Sequence, residues 1–258
     1  MIESLLSTQV QSFIEAHHSD DPAQLLLKYK TVFDLPISII VDQIIGRKKA
    51  ADKLPSWHSE NKIIYPRVLH IEQASSELAA QIKVELLEKE LRYETRNKVL
   101  IDLTGGFGVD SFFFSKVFKS VLFVEPDSRL IDIAKHNHLS LGASNIIYFN
   151  STAEDFLKSR TVNHADIIYI DPSRRKKGNQ KVFSLNQTEP DVAALQPLIW
   201  DISHNLLVKA SPLLDIQQAL TDLEFVKQVS IISIRGECKE LLLSCKNLFR
   251  SEPIVNAI

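Results

Sequence analysis

From residue 99 onward, short β-branched and aromatic runs alternate with helix-length stretches. The runs fall at 99–103, 121–125, 146–149, 167–171 and 206–209, with two more at 226–234 and 241–245. Strands joined by crossovers of a dozen or more residues pair in parallel, and the crossovers place helices on both faces of the sheet. The last two runs are separated only by a few residues around Gly236. That is too short for a parallel crossover, so this pair is expected to be antiparallel. The pattern predicts an α/β fold with a doubly wound, seven-stranded, mostly parallel sheet containing one antiparallel strand.

Residues 1–92 read differently, as a helical N-terminal region ahead of a domain at 93–250. Leu5, Leu6, Val10, Phe13 and Ile14 recur at helical spacing. Asp21-Pro22 opens a short helix through Leu25, Leu26 and Leu27. Residues 37–45 form a buried helix that Gly46 is expected to stop, 54–58 reads as a loop, and 71–91 as one long amphipathic helix whose stripe is Ile71, Ala74, Leu78, Ile82 and Leu86. Lys+Arg number 30 against Asp+Glu 32. This balance excludes a globally basic nucleic-acid binder and leaves room for a local patch. Cys238 and Cys245 lack CxxC spacing, and the start has no basic n-region followed by an apolar stretch, which suggests a reducing, cytoplasmic setting. No apolar run approaches the ~20 residues that cross a bilayer.

The chain has seven glycines, and Gly105, Gly106 and Gly108 cluster where the first strand turns into a helix. Such a turn at a strand's C-terminal end lies at the crevice where doubly wound sheets bind ligands. Glu125 ends the next strand, where an acid accepts hydrogen bonds from ribose hydroxyls. Three readings stay open: glycines that only let strand meet helix, a site for NAD, and a site for S-adenosylmethionine (SAM). Ser111 stands where a dinucleotide fingerprint has its third glycine. Asp102, just ahead of the turn, would meet a pyrophosphate unfavourably but suits the ammonium of a methionine.

A second cluster follows the fourth strand: Asp171-Pro172-Ser173-Arg174-Arg175-Lys176-Lys177. Asp171 is placed beside the glycine loop, and the basic residues are candidates for phosphate contacts. Lys209 ends the fifth strand and could line the same cleft with Asp215. No cysteine faces this region, which disfavours chemistry needing a thiol nucleophile on a pyrimidine. His136-Asn137-His138 read as solvated helix residues, and the histidines form no metal set.

Asp102-Thr104-Gly106-Gly108, Glu125 and Asp171-Pro172 together resemble the class I SAM-dependent methyltransferases, with Thr104 replacing that family's first glycine. The segments 72–77, 171–175 and 237–241 are similar to a bacterial group of these enzymes that carries a THUMP-like C-terminal domain. The resemblance implies a Rossmann-like fold and SAM as cofactor. It implies a cofactor pocket of Asp102, Thr104, Gly105, Gly106, Phe107, Gly108, Asp110, Glu125, Pro126, Thr152 and Asp171, with Thr152 or Ser151 where the family has its adenine-binding acid. Asp171 would be the catalytic residue, with Pro172, Arg174, Arg175, Lys176, Lys177 and Lys209 toward the substrate. The implied reaction is methylation of a base nitrogen in tRNA or rRNA, with RNA as partner and neither metal nor membrane. On this resemblance an RNA-recognising domain is expected to be missing from the chain. The competing classes are a catalytically silent Rossmann-like module that binds RNA or a partner, and an NAD-dependent oxidoreductase.

Overall fold

The computed structural model describes residues 1–174, Arg174 by its backbone, and 184–258. One sheet holds β1 (Val99–Asp102), β2 (Ser120–Glu125), β3 (Ile146–Asn150), β4 (Ile167–Ile170), β5 (Asn205–Ala210), β6 (Val226–Ile234), β7 (Glu237–Lys246) and β8 (Ile254–Ala257). Their order is β3-β2-β1-β4-β5-β7-β6-β8. Strand β7 runs antiparallel to β5 and β6, and the other pairings are parallel. Every residue of β4 is buried, as expected of a parallel strand covered on both faces. The order reverses between β1 and β4, so their C-terminal ends flank the crevice that such a switch point creates.

The expected doubly wound fold is present, with eight strands where the sequence pattern gives seven. Strand β8 lies beside β6 in parallel register, and all four of its residues are exposed. Backbone pairing holds it rather than a buried face, so no hydrophobic alternation marks it.

Among the described residues, the α-helices of seven or more residues are α1 (Thr8–Ala16), α2 (Pro22–Lys28), α3 (Ile37–Lys53), α4 (Glu77–Glu90), α5 (Val109–Ser115), α6 (Ser128–Ser140), α7 (Ala153–Ser159), α8 (Val192–Trp200) and α9 (Ile216–Asp222). Asp21 caps α2 by accepting from the Ala23 N–H at 3.0 Å. Three N-terminal expectations are corrected. Gly46 does not stop α3. A Cβ there would lie 2.4 Å from Tyr65 Cβ, so glycine lets Tyr65 pack against the helix. Pro55–His58 is a short helix, not a loop. The expected long helix is two: Val68–Gln73 ends at an extended Ala74, and Ser76 caps α4 by accepting from the Ala79 N–H at 3.2 Å.

The N-terminal helices share a core with the sheet domain. Val10, Ile14, Ile40, Ile44, Trp57 and Tyr65 cluster with Phe107, Val109, Phe112 and Phe113. Asn137 of α6 fastens the two parts by accepting from the Ile64 N–H and donating to the Ile64 carbonyl, each at 2.8 Å. Burial of this apolar surface stabilises the N-terminal helices against the glycine-loop wall.

Candidate functional site

A cleft of about 1370 Å³ opens at the C-terminal ends of β1, β2 and β4. Its lining includes Asp102, Thr104, Gly105, Gly106, Phe107, Gly108, Asp110, Glu125, Pro126, Thr152, Asp171, Pro172 and Lys209. Thus each cofactor and substrate candidate in the described residues with a described side chain reaches one cavity wall. Arg174 is known by its backbone, in a two-residue strand Ser173–Arg174 paired with Thr188–Glu189. Arg175, Lys176 and Lys177 lie outside the described residues.

The glycine loop is built by specific contacts. Gly106 has φ +55 and Gly108 φ +90, a backbone region that favours glycine. A Cβ on Gly105 would fall 2.3 Å from the Phe123 ring. Asp102 is 1% exposed, accepting from the Thr104 N–H at 3.0 Å and the Ser111 hydroxyl at 2.6 Å. Burial pushes its carboxyl up to about 7 against those two hydrogen bonds, with the charges of Asp110 and Asp171 adding to the rise. Asp102 therefore acts on the cleft through the loop it organises.

Glu125 accepts from the Gly106 N–H through Oε2 and from the Asp127 N–H through Oε1, both at 2.9 Å. Burial raises its carboxyl above the usual range, partly offset by those two N–H donors. Each carboxylate oxygen has a second lone pair, so two acceptor positions remain for a ligand at this strand end.

Thr104 explains itself in the structure. Its Oγ1 accepts from the Asp171 N–H at 2.7 Å, tying the glycine loop to the loop after β4. Asp171 is also ion-paired with Lys209. Burial opposes the charge on Lys209, yet Asp171, Asp110 and Glu240 hold its ammonium above the usual lysine range. Asp215 stands apart and caps α9 through the N–H groups of Gln217 and Gln218. Thr152 caps α7 by accepting from the Asp155 N–H at 3.1 Å.

Two candidates serve the framework more than the cavity. The Phe107 side chain is 3% exposed, with its ring 5.0 Å from that of Trp57. Asp110 turns into a buried network that sequence reasoning missed. It accepts from the Ser75 and Tyr169 hydroxyls, each at 2.8 Å, and pairs with Lys83 at 3.2 Å. Lys83 is fully buried, and its ammonium also donates to Glu240 at 2.6 Å and Ser75 at 2.8 Å. Burial would raise the Asp110 carboxyl, but Lys83, Lys209, Tyr169 and Ser75 together hold it below the usual range.

The solvated reading of His136-Asn137-His138 is corrected. Asn137 and His138 are 0% exposed. His138 Nε2 lies 2.8 Å from the Gly108 carbonyl and Nδ1 2.9 Å from the Tyr148 hydroxyl. A neutral ring donating to that carbonyl accepts from the tyrosine. Burial lowers His138 from 6.5 to about 4. The unfolded chain binds this proton first, so His138 is expected to cost stability as pH falls from 6.5 toward 4. Asp102, with its raised value, acts in the opposite direction over the same range. The readout is therefore a difference: thermal melts of wild type and His138→Gln against pH should diverge, the wild type losing relatively more on acidification. Parallel curves would mean that His138 is not held neutral.

Among the described residues, no group of three or more His, Cys, Asp or Glu could hold a metal, and no helix is long and apolar enough to cross a membrane. Cys245 is buried and Cys238 exposed.

The fold has a clear counterpart. The crystal structure of a "putative methyltransferase" from Porphyromonas gingivalis matches 95% of this chain with a TM-score of 0.75 at 24% identity. This chain spans 58% of that one. The sequence-family model Conserved hypothetical protein 95 matches residues 80–194, a span from α4 through the glycine loop to the start of α8. Two further structures overlap part of the fold. A "putative methyltransferase" of Streptococcus mutans in complex with SAH covers 62% of this chain and 96% of its own, at TM-score 0.43 and 11% identity. An rRNA methylase of Streptococcus thermophilus covers 63% and 96%, at TM-score 0.43 and 12% identity. No curated protein matches the sequence.

Proposed function

We propose that this chain is a SAM-dependent methyltransferase of the class I type that acts on a base nitrogen of RNA, with tRNA or rRNA as the carrier. The observation that carries the reading is Glu125: a carboxylate fixed by two backbone N–H groups, one of them from the glycine turn, at the edge of the switch-point cleft. The cleft's chemistry fits the cofactor. Glu125 and Asp171 line it as acceptors, which suits a ligand bearing a sulfonium and an ammonium and lacking phosphate.

SAM supplies a methyl group on a cationic sulfur, open to in-line displacement. The protein's task is then orientation and exclusion of water. Glu125 accepts hydrogen bonds from the ribose hydroxyls. The loop of Thr104, Gly105, Gly106, Phe107 and Gly108, shaped by Asp102, holds the amino-acid end, and Pro126 and Thr152 border the adenine. Asp171, steadied by Thr104 and Lys209, accepts a hydrogen bond from the acceptor's N–H and so aims its nitrogen. Pro172 offers a neighbouring carbonyl, and Arg174, Arg175, Lys176 and Lys177 are assigned to phosphates. A C-terminal RNA-recognising domain of the THUMP-like kind belongs to the same reading, as does a cytoplasmic setting.

The test is incubation of the purified protein with methyl-labelled SAM and total cellular RNA, followed by digestion to nucleosides. Label is expected in one N-methylated nucleoside, and Asp171→Ala should abolish it. Binding of SAM without transfer to any RNA would instead assign the chain to the silent class.

A further inference from the structure

We infer that Gln73 selects the methyl acceptor by reading the edge of an amino-bearing base. Its side-chain amide accepts one N–H of the amino group while Asp171 accepts the other, and it donates to the ring nitrogen alongside. This rests on the proposal that the acceptor is a base of RNA, and narrows it to the exocyclic amino nitrogen of adenine, cytosine or guanine.

The segment 72–77 is held more firmly than a connection between two helices requires. Lys53 donates to the Ile71 and Glu72 carbonyls, each at 2.8 Å. The Glu72 carboxylate is paired with Lys49 at 2.8 Å. Ser75 is buried, and its hydroxyl donates to Asp110 and accepts from Lys83. Ser76 caps α4, and Glu77 accepts from the N–H and hydroxyl of Ser56, both at 2.8 Å. Gln73 is the exception. It is exposed, and its amide bonds to nothing among the described residues. Contacts to Glu72 and Ser75 fix the chain on either side, so the amide is carried on a rigid stem.

That amide stands at the cleft. Gln73 lines the main cavity with Asp171 and also a smaller cavity of about 760 Å³; Lys209, which borders both, is paired with Asp171. Burial, and after it the charge of Lys209, lowers the Lys53 ammonium to about 8. The lysine that grips the backbone before Gln73 therefore lies near the one that grips Asp171.

Among the described residues that line the main cavity, Gln73 has the one side-chain amide. Its neighbours offer other chemistry: Glu125 and Asp171 are acceptors, and Thr152 and Asp191 cap α7 and α8. An amide presents a donor and an acceptor side by side, the pattern that pairs with an amino group next to a ring nitrogen. Uracil lacks that pattern. Held by two acceptors in the plane of the ring, the amine turns its remaining electron pair out of that plane, the side from which a methyl group can be delivered.

The experiment measures kcat/KM for transfer from methyl-labelled SAM to total cellular RNA, followed by digestion to nucleosides, with SAM calorimetry and a thermal melt on each protein. Gln73→Ala is expected to lower kcat/KM for RNA roughly tenfold or more and to spread the label over further nucleosides, with SAM affinity within about threefold of wild type. Its melt should not change, because the amide has no partner to lose. Gln73→Glu keeps an acceptor and loses the donor, so it should fall as far, and it carries the test should Gln73→Ala melt lower. Truncation of the exposed Gln81 of α4, which borders only the smaller cavity, should leave transfer unchanged. Wild-type rates in the Gln73 variants, a loss traced to weaker SAM binding, an equal loss in Gln81→Ala, or label on a ring nitrogen overturns the inference. If the wild type labels RNA and these results fail, only the role of Gln73 falls. If the wild type labels no RNA, the proposed function falls with it.

Discussion

Lys83→Met is expected to cost about 3–5 kcal/mol of stability, because it strands the buried carboxylates of Asp110 and Glu240 without their cation. For a chain of this size that is a fall in Tm on the order of 10 °C. Lys83 lies on α4, Asp110 on α5 and Glu240 on β7, so one ammonium joins a helix ahead of the sheet, the helix after the glycine loop and the antiparallel strand. The pH dependence follows from the same contacts. Wild-type Asp110 is held below the usual carboxylate range, so its contribution is present at neutral pH and lost as pH falls through its folded value. In the variant the stranded Asp110 carboxyl favours its protonated form, which makes acid relatively stabilising. The stability gap should therefore narrow on acidification, and Lys83→Met/Glu240→Leu should recover part of the loss. A Lys83→Met protein within about 1 kcal/mol of wild type at neutral pH would show that the network contributes little.

Glu125→Ala is expected to weaken SAM binding roughly 100-fold. Hydrogen bonds to a charged group contribute about 1.5–3 kcal/mol each, and the residue offers two free acceptor positions at the cleft edge. The substitution also leaves the Gly106 N–H without its acceptor, which loosens the turn. Glu125→Gln retains one carbonyl acceptor and should fall between the two. Titration calorimetry of the three proteins gives the comparison directly. Affinities within about threefold of one another would remove Glu125 from the site.

The sheet was legible because its strands are buried on both faces and therefore read as apolar runs separated by long crossovers. The glycine turn was legible because few glycines occur elsewhere and backbone geometry demands them here. The direction of α4 was not. The apolar stripe through Leu78, Ile82 and Leu86 has helical period, yet Leu78 is 50% exposed, and the buried face is Ala79, Ala80, Lys83 and Leu87. A charged residue occupies the centre of that face, and only partners distant in sequence make this tolerable. The same long-range pairing gives segments 72–77 and 237–241 a structural role that their sequence does not reveal: Ser75 and Glu240 both bond Lys83. Asn137 and His138 misled for a related reason. Polar side chains on a helix read as solvated, while here each one's donors and acceptors are satisfied by Ile64, Gly108 and Tyr148. Thr104 looked like a departure from a glycine pattern, and its hydroxyl is what connects that turn to Asp171.

The most direct measurement is a calorimetric titration of the wild-type protein with SAM and, separately, with NAD⁺. Saturable binding of SAM at one site per chain, with no heat from NAD⁺, is the expected result. Tight binding of NAD⁺ with none of SAM would contradict the assignment of this cleft.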